Sequence, residues 1–323
     1  LKSELDSFGK NKFFWWLAIG GVHWPYGVFL SDSFVDVDYD GILKDKALSW
    51  NEFQSIYKGV HYPEGSKLDR SDIRYVRDQY DNGVKAFDGF LGKLFDELEN
   101  RKLIDDTIIV IQSEHGEGLH EHGYFAHYDV MDTQVHTPLL ILYPHLKEGM
   151  RISSFAGSVD VFPTIMELLG VEVPDKIQGK SLAPIITGKE PDGVRQEAFT
   201  ERSPLWEEAH LGVRDFLKWL GVEFDGEEYG DVAIRTPKYK YILRTSKERL
   251  ERISWWVVLT GQNMIIPEAE LYDLSSDPLE IKNVINQYPD EAIKLRKRLE
   301  EWFAGISTSL PQKVNSEQEI QPY

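Results

Sequence analysis

The sequence has 323 residues, 41% of them hydrophobic, with 36 Lys and Arg against 54 Asp and Glu and a formal charge of −18. That length supports a large core and roughly two domains, and the acidity excludes a protein that coats nucleic acid or an anionic membrane by counterion release. With no cysteine, disulfides, thiolate metal sites and a cysteine nucleophile are excluded within these residues.

The N-terminus does not read as a signal peptide, because Lys2, Glu4, Asp6, Lys10 and Lys12 interrupt any apolar core. The sequence starts at Leu1 without an initiator Met, which suggests that a beginning is missing; localisation is left open. Phe13 to Ile19 is continuously apolar, is far short of the ~18 residues of a membrane span, and reads as a strand covered on both faces. His23-Trp24-Pro25-Tyr26 stands at its end, and residues 29 to 70 read as irregular surface structure with short helices.

From Ser71, apolar residues from Ile73 to Leu98 recur at steps of three and four, which predicts one long helix to about Arg101 with Ser71 or Asp72 as N-cap. Thr107 to Gln112 and Leu139 to Tyr143 read as two further buried strands, and Val159 to Gly170 as a helix with Pro163 in its first turn and Gly170 as its stop. Unalternating strands interleaved with helices predict an α/β sheet covered on both faces. A boundary is placed so that residues 1–194 form the α/β unit and residues 195–310 a small α+β unit, with 311–323 a disordered tail. The second unit is expected to contain a hairpin at 232–244, a strand near 270–274 and an amphipathic helix from Asp290 to Phe303; 206–229 and 247–267 read as insertions.

Six of the nine histidines, His115, His120, His122, His127, His136 and His145, fall within 31 residues, and His115 follows Glu114 at the end of a predicted strand. In open α/β sheets ligands bind beyond the carboxyl ends of strands, a position that His23 and the Glu114-His115 pair share if their strands are parallel. A carboxylate beside a neutral imidazole makes half of a divalent metal site; the bland alternative is a pair that caps strand and loop. His127 is a candidate to contact an anionic oxygen or protonate a leaving group, or else an ordinary loop histidine. His120 and His122 stay open, and His136 reads as structural. Gly116 and Gly118 allow close backbone approach to a ligand, or simply a turn. Trp24 and Tyr26, just past the apolar run, are candidates for substrate contact.

Thr107 through Gly123, with Ser113-Glu114-His115-Gly116-Glu117 and Glu121-His122-Gly123, resembles the signature of the sulfatase family, in the alkaline phosphatase superfamily. Val135 to Leu140 resembles that family's next strand, Val159 to Thr164 its following helix, and Gly179-Lys180-Ser181-Leu182 its loop. His23 to Tyr26, Lys238 to Tyr241, Glu270 to Leu274 and Asp277-Pro278 extend the match, so that it runs from about residue 13 to 303 apart from the insertions. The resemblance implies an alkaline-phosphatase-like α/β fold, a divalent ion, usually calcium, and hydrolysis of sulfate esters by a formylglycine made within a Cys/Ser-x-Pro-x-Arg motif. It implies Glu114 and His115 as metal ligands, His23 on the sulfate or leaving oxygen, and His127 in the place of the basic residue that binds the anion. The expected partner is a small-molecule or glycan sulfate ester, not nucleic acid.

Three departures qualify the match. The family's first strand with paired aspartates is missing, and so is any Cys/Ser-x-Pro-x-Arg motif; the chain is therefore read as N-terminally truncated and inactive as it stands. Glu114 occupies the place of the usual Asp, and His115 that of the Asn found in many members, which leaves Zn2+ or Mn2+ open beside Ca2+. The alternatives are a phosphodiester or phosphonate monoester hydrolase of the same superfamily, and a non-catalytic homologue that binds a glycan.

Overall fold

The computed structural model describes residues 1–9, 11–23, 26, 39–41, 43–44, 69–122, 125–127, 129–146, 148–190, 193–202, 231–244 and 267–307. Trp24, most of 29–70, the insertion 206–229, residues 247–266 of the other insertion and the tail from 311 lie outside the described residues.

The N-terminal part is organised around one long helix. A short helix α1 (Lys2–Phe8) packs Leu5 against Leu94 and Leu98 of α2 (Arg70–Asn100), which has the apolar stripe its spacing predicts. Its N-cap is Asp69 rather than Ser71 or Asp72. The Asp69 carboxylate accepts from the Ser71 and Asp72 amides, and the Asp72 carboxylate accepts from the Asp69 amide, closing a capping box. The next elements are β1 (Ile109–Gln112), β2 (Gly118–Leu119), β3 (Phe125–Ala126), α3 (Asp132–Val135), β4 (Leu139–Leu142), α4 (Val161–Leu168) and α5 (Ala183–Ile186).

Two expectations are corrected here. Residues 13–19 form no strand; Phe13 and Trp15 are half-buried against Phe8, and Phe14 is 80% and Trp16 75% exposed. A strand needs neighbours for its amides and carbonyls, and no described residues pair with this segment. The strands β1 and β4 do pair, but antiparallel, Ile109 opposite Leu142, and they are half-buried rather than fully covered.

The helix α4 is stapled to the loop that follows it. Asp160, fully buried, accepts from the Gly157 and Lys180 amides and from two nitrogens of Arg195. Thr164 accepts from the Leu182 amide at 2.8 Å. A side chain at Gly179 would run into the Val159 carbonyl, so this close approach needs glycine.

The C-terminal part is a four-stranded antiparallel sheet in the order β5 (Ala198–Glu201), β6 (Val232–Arg235), β7 (Tyr239–Leu243), β8 (Ala269–Asp273), backed by α6 (Pro289–Ser307). Ile234, Tyr241 and Leu271 meet Leu295 and Leu299 of α6 in its core. On the other face, Ala233, Ile242 and Tyr272 cover Val130 and Met131. The hairpin and the last helix match the sequence reading. Among the described residues no helix is long and apolar enough to cross a membrane.

Candidate functional site

His23, His115 and His127 converge. Each offers a ligand atom, and these atoms all lie within 4.8 Å of one another. The rings of His115 and His127 stack at 3.9 Å between centroids, and His23 meets them edge-on at 6.0 and 5.5 Å.

Each histidine arrives on a separately anchored piece of chain. His23 closes a turn whose amide bonds the Gly20 carbonyl at 3.1 Å. That turn lies against α2 where the helix has Gly83; a Cβ there would come within 2.9 Å of the Gly21 carbonyl. His115 follows β1, where the Ser113 hydroxyl donates to its carbonyl and the Gly116 amide donates to Gln134. A side chain at Gly116 would strike the Thr133 carbonyl, so the close approach this glycine permits is to backbone rather than to a ligand.

His127 sits between two fixed points. On one side Phe125 is fully buried with Tyr26, Leu43 and Val76; on the other Val130 and Met131 enter the core of the C-terminal sheet. Charges reinforce the second anchor. Asp129 takes Arg244, which also bonds Asp231 and Glu270, and Asp132 takes Arg235 and Lys240. Burial alone would lower the Arg244 guanidinium, and the three surrounding carboxylates hold it well above its ordinary value.

Partners fix the tautomers of two of the rings. His115 Nδ1 lies 2.8 Å from the Gly116 carbonyl, which can only accept, so that nitrogen donates. His127 Nδ1 donates likewise to Glu117 Oε2 at 3.0 Å. In the neutral tautomer that each contact selects, Nδ1 carries the proton. Glu117, buried, takes the Tyr26 hydroxyl on its other oxygen at 2.6 Å.

Of the residues singled out from sequence, His23, His115 and His127 come together. Glu114 is exposed and stands outside this group. Tyr26, expected against substrate, is instead 6% exposed and supports the site through Glu117, because its ring completes the core beside Tyr80. Trp24 lies outside the described residues. His120 and His122 are partly buried, and loss of hydration pushes both rings below the ordinary histidine value, toward the neutral form. His136 and His145 are exposed. Glu117, which bonds His127, was not singled out from sequence; its only signal was a second acid in the motif.

Calcium takes six to eight oxygen ligands. The common centre here offers three imidazole nitrogens, and both oxygens of the nearby Glu117 are engaged. The described donors do not fit calcium.

Comparison with known proteins agrees with the motifs. The Sulfatase family model matches residues 2–171, more than half of the chain. Arylsulfatase K of Xenopus laevis is 28% identical over 256 residues, 77% of this chain and 42% of that protein. Arylsulfatase K of Homo sapiens is 25% identical over 291 residues, 88% of this chain and 48% of that protein. Phosphonate monoester hydrolase SpPMH from Silicibacter pomeroyi superposes with a TM-score of 0.57 at 23% identity, covering 78% of this chain and 44% of that one. BT4656, solved in complex with its substrate D-glucosamine-2-N,6-O-disulfate, superposes with a TM-score of 0.54 at 22% identity, covering 84% and 48%. The chain thus spans less than half the length of each of these four proteins. The structural likeness shows the alkaline-phosphatase-like α/β fold. By its family model and its relatives, the chain belongs to the sulfatase family.

Proposed function

We propose that the described histidines form one half of a sulfuric ester hydrolase site, with a small-molecule or glycan sulfate ester as ligand. The observation that supports this most directly is the convergence of His23, His115 and His127 from two distant segments onto one centre in a chain of the sulfatase family. Hydrolysis of a sulfate ester breaks the bond to the alcohol oxygen, while the other three oxygens keep the negative charge. The three imidazoles offset that charge, either as proton carriers or as holders of a cation. Glu117, bonded to His127 Nδ1, fixes that ring's direction.

The nucleophile is the missing half. These residues hold neither a cysteine nor a Ser-x-Pro-x-Arg sequence, so the chain should bind a sulfate ester without turning it over. Titration with 4-nitrophenyl sulfate, followed by calorimetry and by absorbance, tests this. Binding that His127→Ala weakens about tenfold, corresponding to roughly one charge-assisted hydrogen bond, with no release of nitrophenolate, is the expected result. Absence of binding, or binding indifferent to His127, would overturn the reading. Release of nitrophenolate would overturn the inactivity. A clear preference for 4-nitrophenyl phenylphosphonate would move the assignment to a phosphonate monoester hydrolase.

A further inference from the structure

We infer that the cleft between the segment after β4, the end of α5 and the β6–β7 turn binds a small organic oxyanion, a carboxylate or sulfate group carried on a flat apolar body. This site is separate from the histidine group and does not rest on the proposed function.

Its place in the fold comes first. The cleft has a volume of about 560 Å3, within the range of small-molecule sites. Residues 150–155 form one wall, Ile185 and Gly188 another, and Arg195 with Pro237 of the β6–β7 turn close it from the C-terminal part. Small ligands favour such seams between packed units. None of His23, His115 and His127 lines it. The strands β1 and β4 run antiparallel, with Ile109 opposite Leu142. The chain therefore leaves β4 at one end of the ladder, whereas β1 leads to His115 from the other.

The sign of the charge is the second observation. The chain carries 54 Asp and Glu, yet among the described residues this cleft is lined by two arginines and no acid. Arg195 gives Nε and Nη2 to the buried Asp160 at 2.8 and 2.6 Å, which fixes the guanidinium and leaves Nη1 as a donor. That pair is neutral as a whole. The net positive charge comes from Arg151, which is exposed and has no hydrogen bond or ion pair among the described residues. A guanidinium fork matches the oxygens of a carboxylate or a sulfate. In the same wall the Ser154 hydroxyl is shut off from water and has no hydrogen-bond partner among the described residues. Such a group costs stability, and after a turn about χ1 an anion oxygen supplies its acceptor.

The third observation is the apolar part of the lining. Ile185 is 5% exposed and is held in a core with Leu182 and Ile186. Phe155 is steadied by the Arg235 guanidinium, 5.3 Å from its ring centre and itself bonded to Asp132. Ile152 in the same wall is 41% exposed. A flat ring against Phe155 and Ile152 removes apolar surface from water, a gain that a bare inorganic anion does not make.

The test titrates the full chain by calorimetry with naphthalene-2-carboxylate and naphthalene-2-sulfonate, at low ionic strength and in both the parent and His127→Ala. The expected result is saturable binding of both anions, each competing with the other, retained in His127→Ala and weakened by added salt. Arg151→Ala should weaken it about tenfold, the scale of one charge-assisted hydrogen bond. Arg151→Lys, which keeps the charge but not the fork, should lose less. Ile152→Glu, which places a carboxylate in the wall, should weaken binding at least tenfold. Naphthalen-2-ol, with the same body and no anionic group, and inorganic sulfate, with no body, should each bind at least tenfold more weakly than the aryl anions. Arg151 and Ile152 are both exposed, and circular dichroism confirms that their variants fold. The preferred head group, carboxylate or sulfonate, names the natural one. Absence of binding, binding indifferent to Arg151→Ala and Ile152→Glu, or naphthalen-2-ol or sulfate binding as well as the aryl anions would overturn the inference. Binding abolished by His127→Ala would also overturn it, because the anions would then sit at the histidines. The two readings fail separately: 4-nitrophenyl sulfate held at the histidines without either naphthalene anion in the cleft removes this site alone.

Discussion

The Tyr26 hydroxyl and the His127 ring meet on the same buried carboxylate, one on each oxygen of Glu117, at 2.6 and 3.0 Å. Tyr26 belongs to the core with Val76 and Phe125, so the carboxylate is pinned from the inside and the histidine is held at the edge of solvent. Removing the hydroxyl leaves a buried anionic oxygen short of a donor. Tyr26→Phe should therefore cost about 1–3 kcal/mol in urea unfolding, the usual penalty for a buried group that loses its partner. A loss under about 0.5 kcal/mol, the scale of surface substitutions, would show that the bond is not worth what its burial implies. A cycle with Glu117→Ala separates the pairwise part from changes in packing.

The clasp at Asp160 makes a pH prediction. Burial would raise the Asp160 carboxyl, but hydrogen bonds from Arg195 and from the Gly157 and Lys180 amides outweigh it and hold the group below the ordinary carboxylate range. Because the folded value lies below the unfolded one, the stabilisation is present above the unfolded value, near pH 3.9, and is lost as pH falls through the folded value. Asp160→Asn should thus cost about 3 kcal/mol near neutrality, at the low end for a broken buried pair because Arg195 is partly exposed. The gap between the two proteins should narrow in acid. A gap independent of pH would mean that Asp160 acts through shape alone.

What the sequence made legible follows from what each pattern constrains. Apolar residues three and four apart can satisfy only a helix face, so α2 was readable almost to its ends. Its cap was not, because Ser71, Asp72 and Asp69 are all competent capping residues and only the geometry selects Asp69. The run from Phe13 to Ile19 shows β-prone composition, yet a strand exists only where another strand offers it a ladder, and composition is silent on that. Clustered histidines pointed to the site because they are rare residues brought close in sequence. Glu117 gave no such sign: it acquires a role only when Tyr26, 91 positions away, folds over it.

Lys240 shows how the loop behind His127 is tied to the C-terminal sheet. Only 1% exposed, it donates to Asp132 at 2.7 Å and forms an ion pair with Glu280 at 2.8 Å, and Glu280 also accepts the Asp132 amide at the start of α3. Lys240→Met would leave two carboxylates buried without their shared cation. The expected loss is about 3–5 kcal/mol at neutral pH. Burial already pushes Glu280 above the ordinary carboxylate value, and without Lys240 it should rise further. A carboxyl raised on folding adds full stability below its unfolded value and loses it as pH rises through the folded value. The variant should therefore recover in mild acid relative to the parent, as chemical denaturation at several pH values would show. A deficit that grew as the pH was lowered would contradict this account.

The apolar segment near the N-terminus yields a prediction with opposite outcomes for adjacent residues. Trp15 meets Phe8 edge-on at 5.5 Å and joins the cluster around Leu94 and Leu98, whereas Phe14 and Trp16 point away from it and are largely exposed. Truncating Trp15 to Ala should cost about 2–3 kcal/mol, below the full 3–5 of a wholly buried aromatic because its ring is only partly covered. The double change Phe14→Ser with Trp16→Ser should alter stability by less than about 0.5 kcal/mol. It should also reduce concentration-dependent association, since adjacent exposed aromatics form the kind of patch that drives it. Light scattering and urea unfolding on the same samples separate the two effects. Equal destabilisation by both sets of changes would mean that the two faces of residues 13–16 are equally packed.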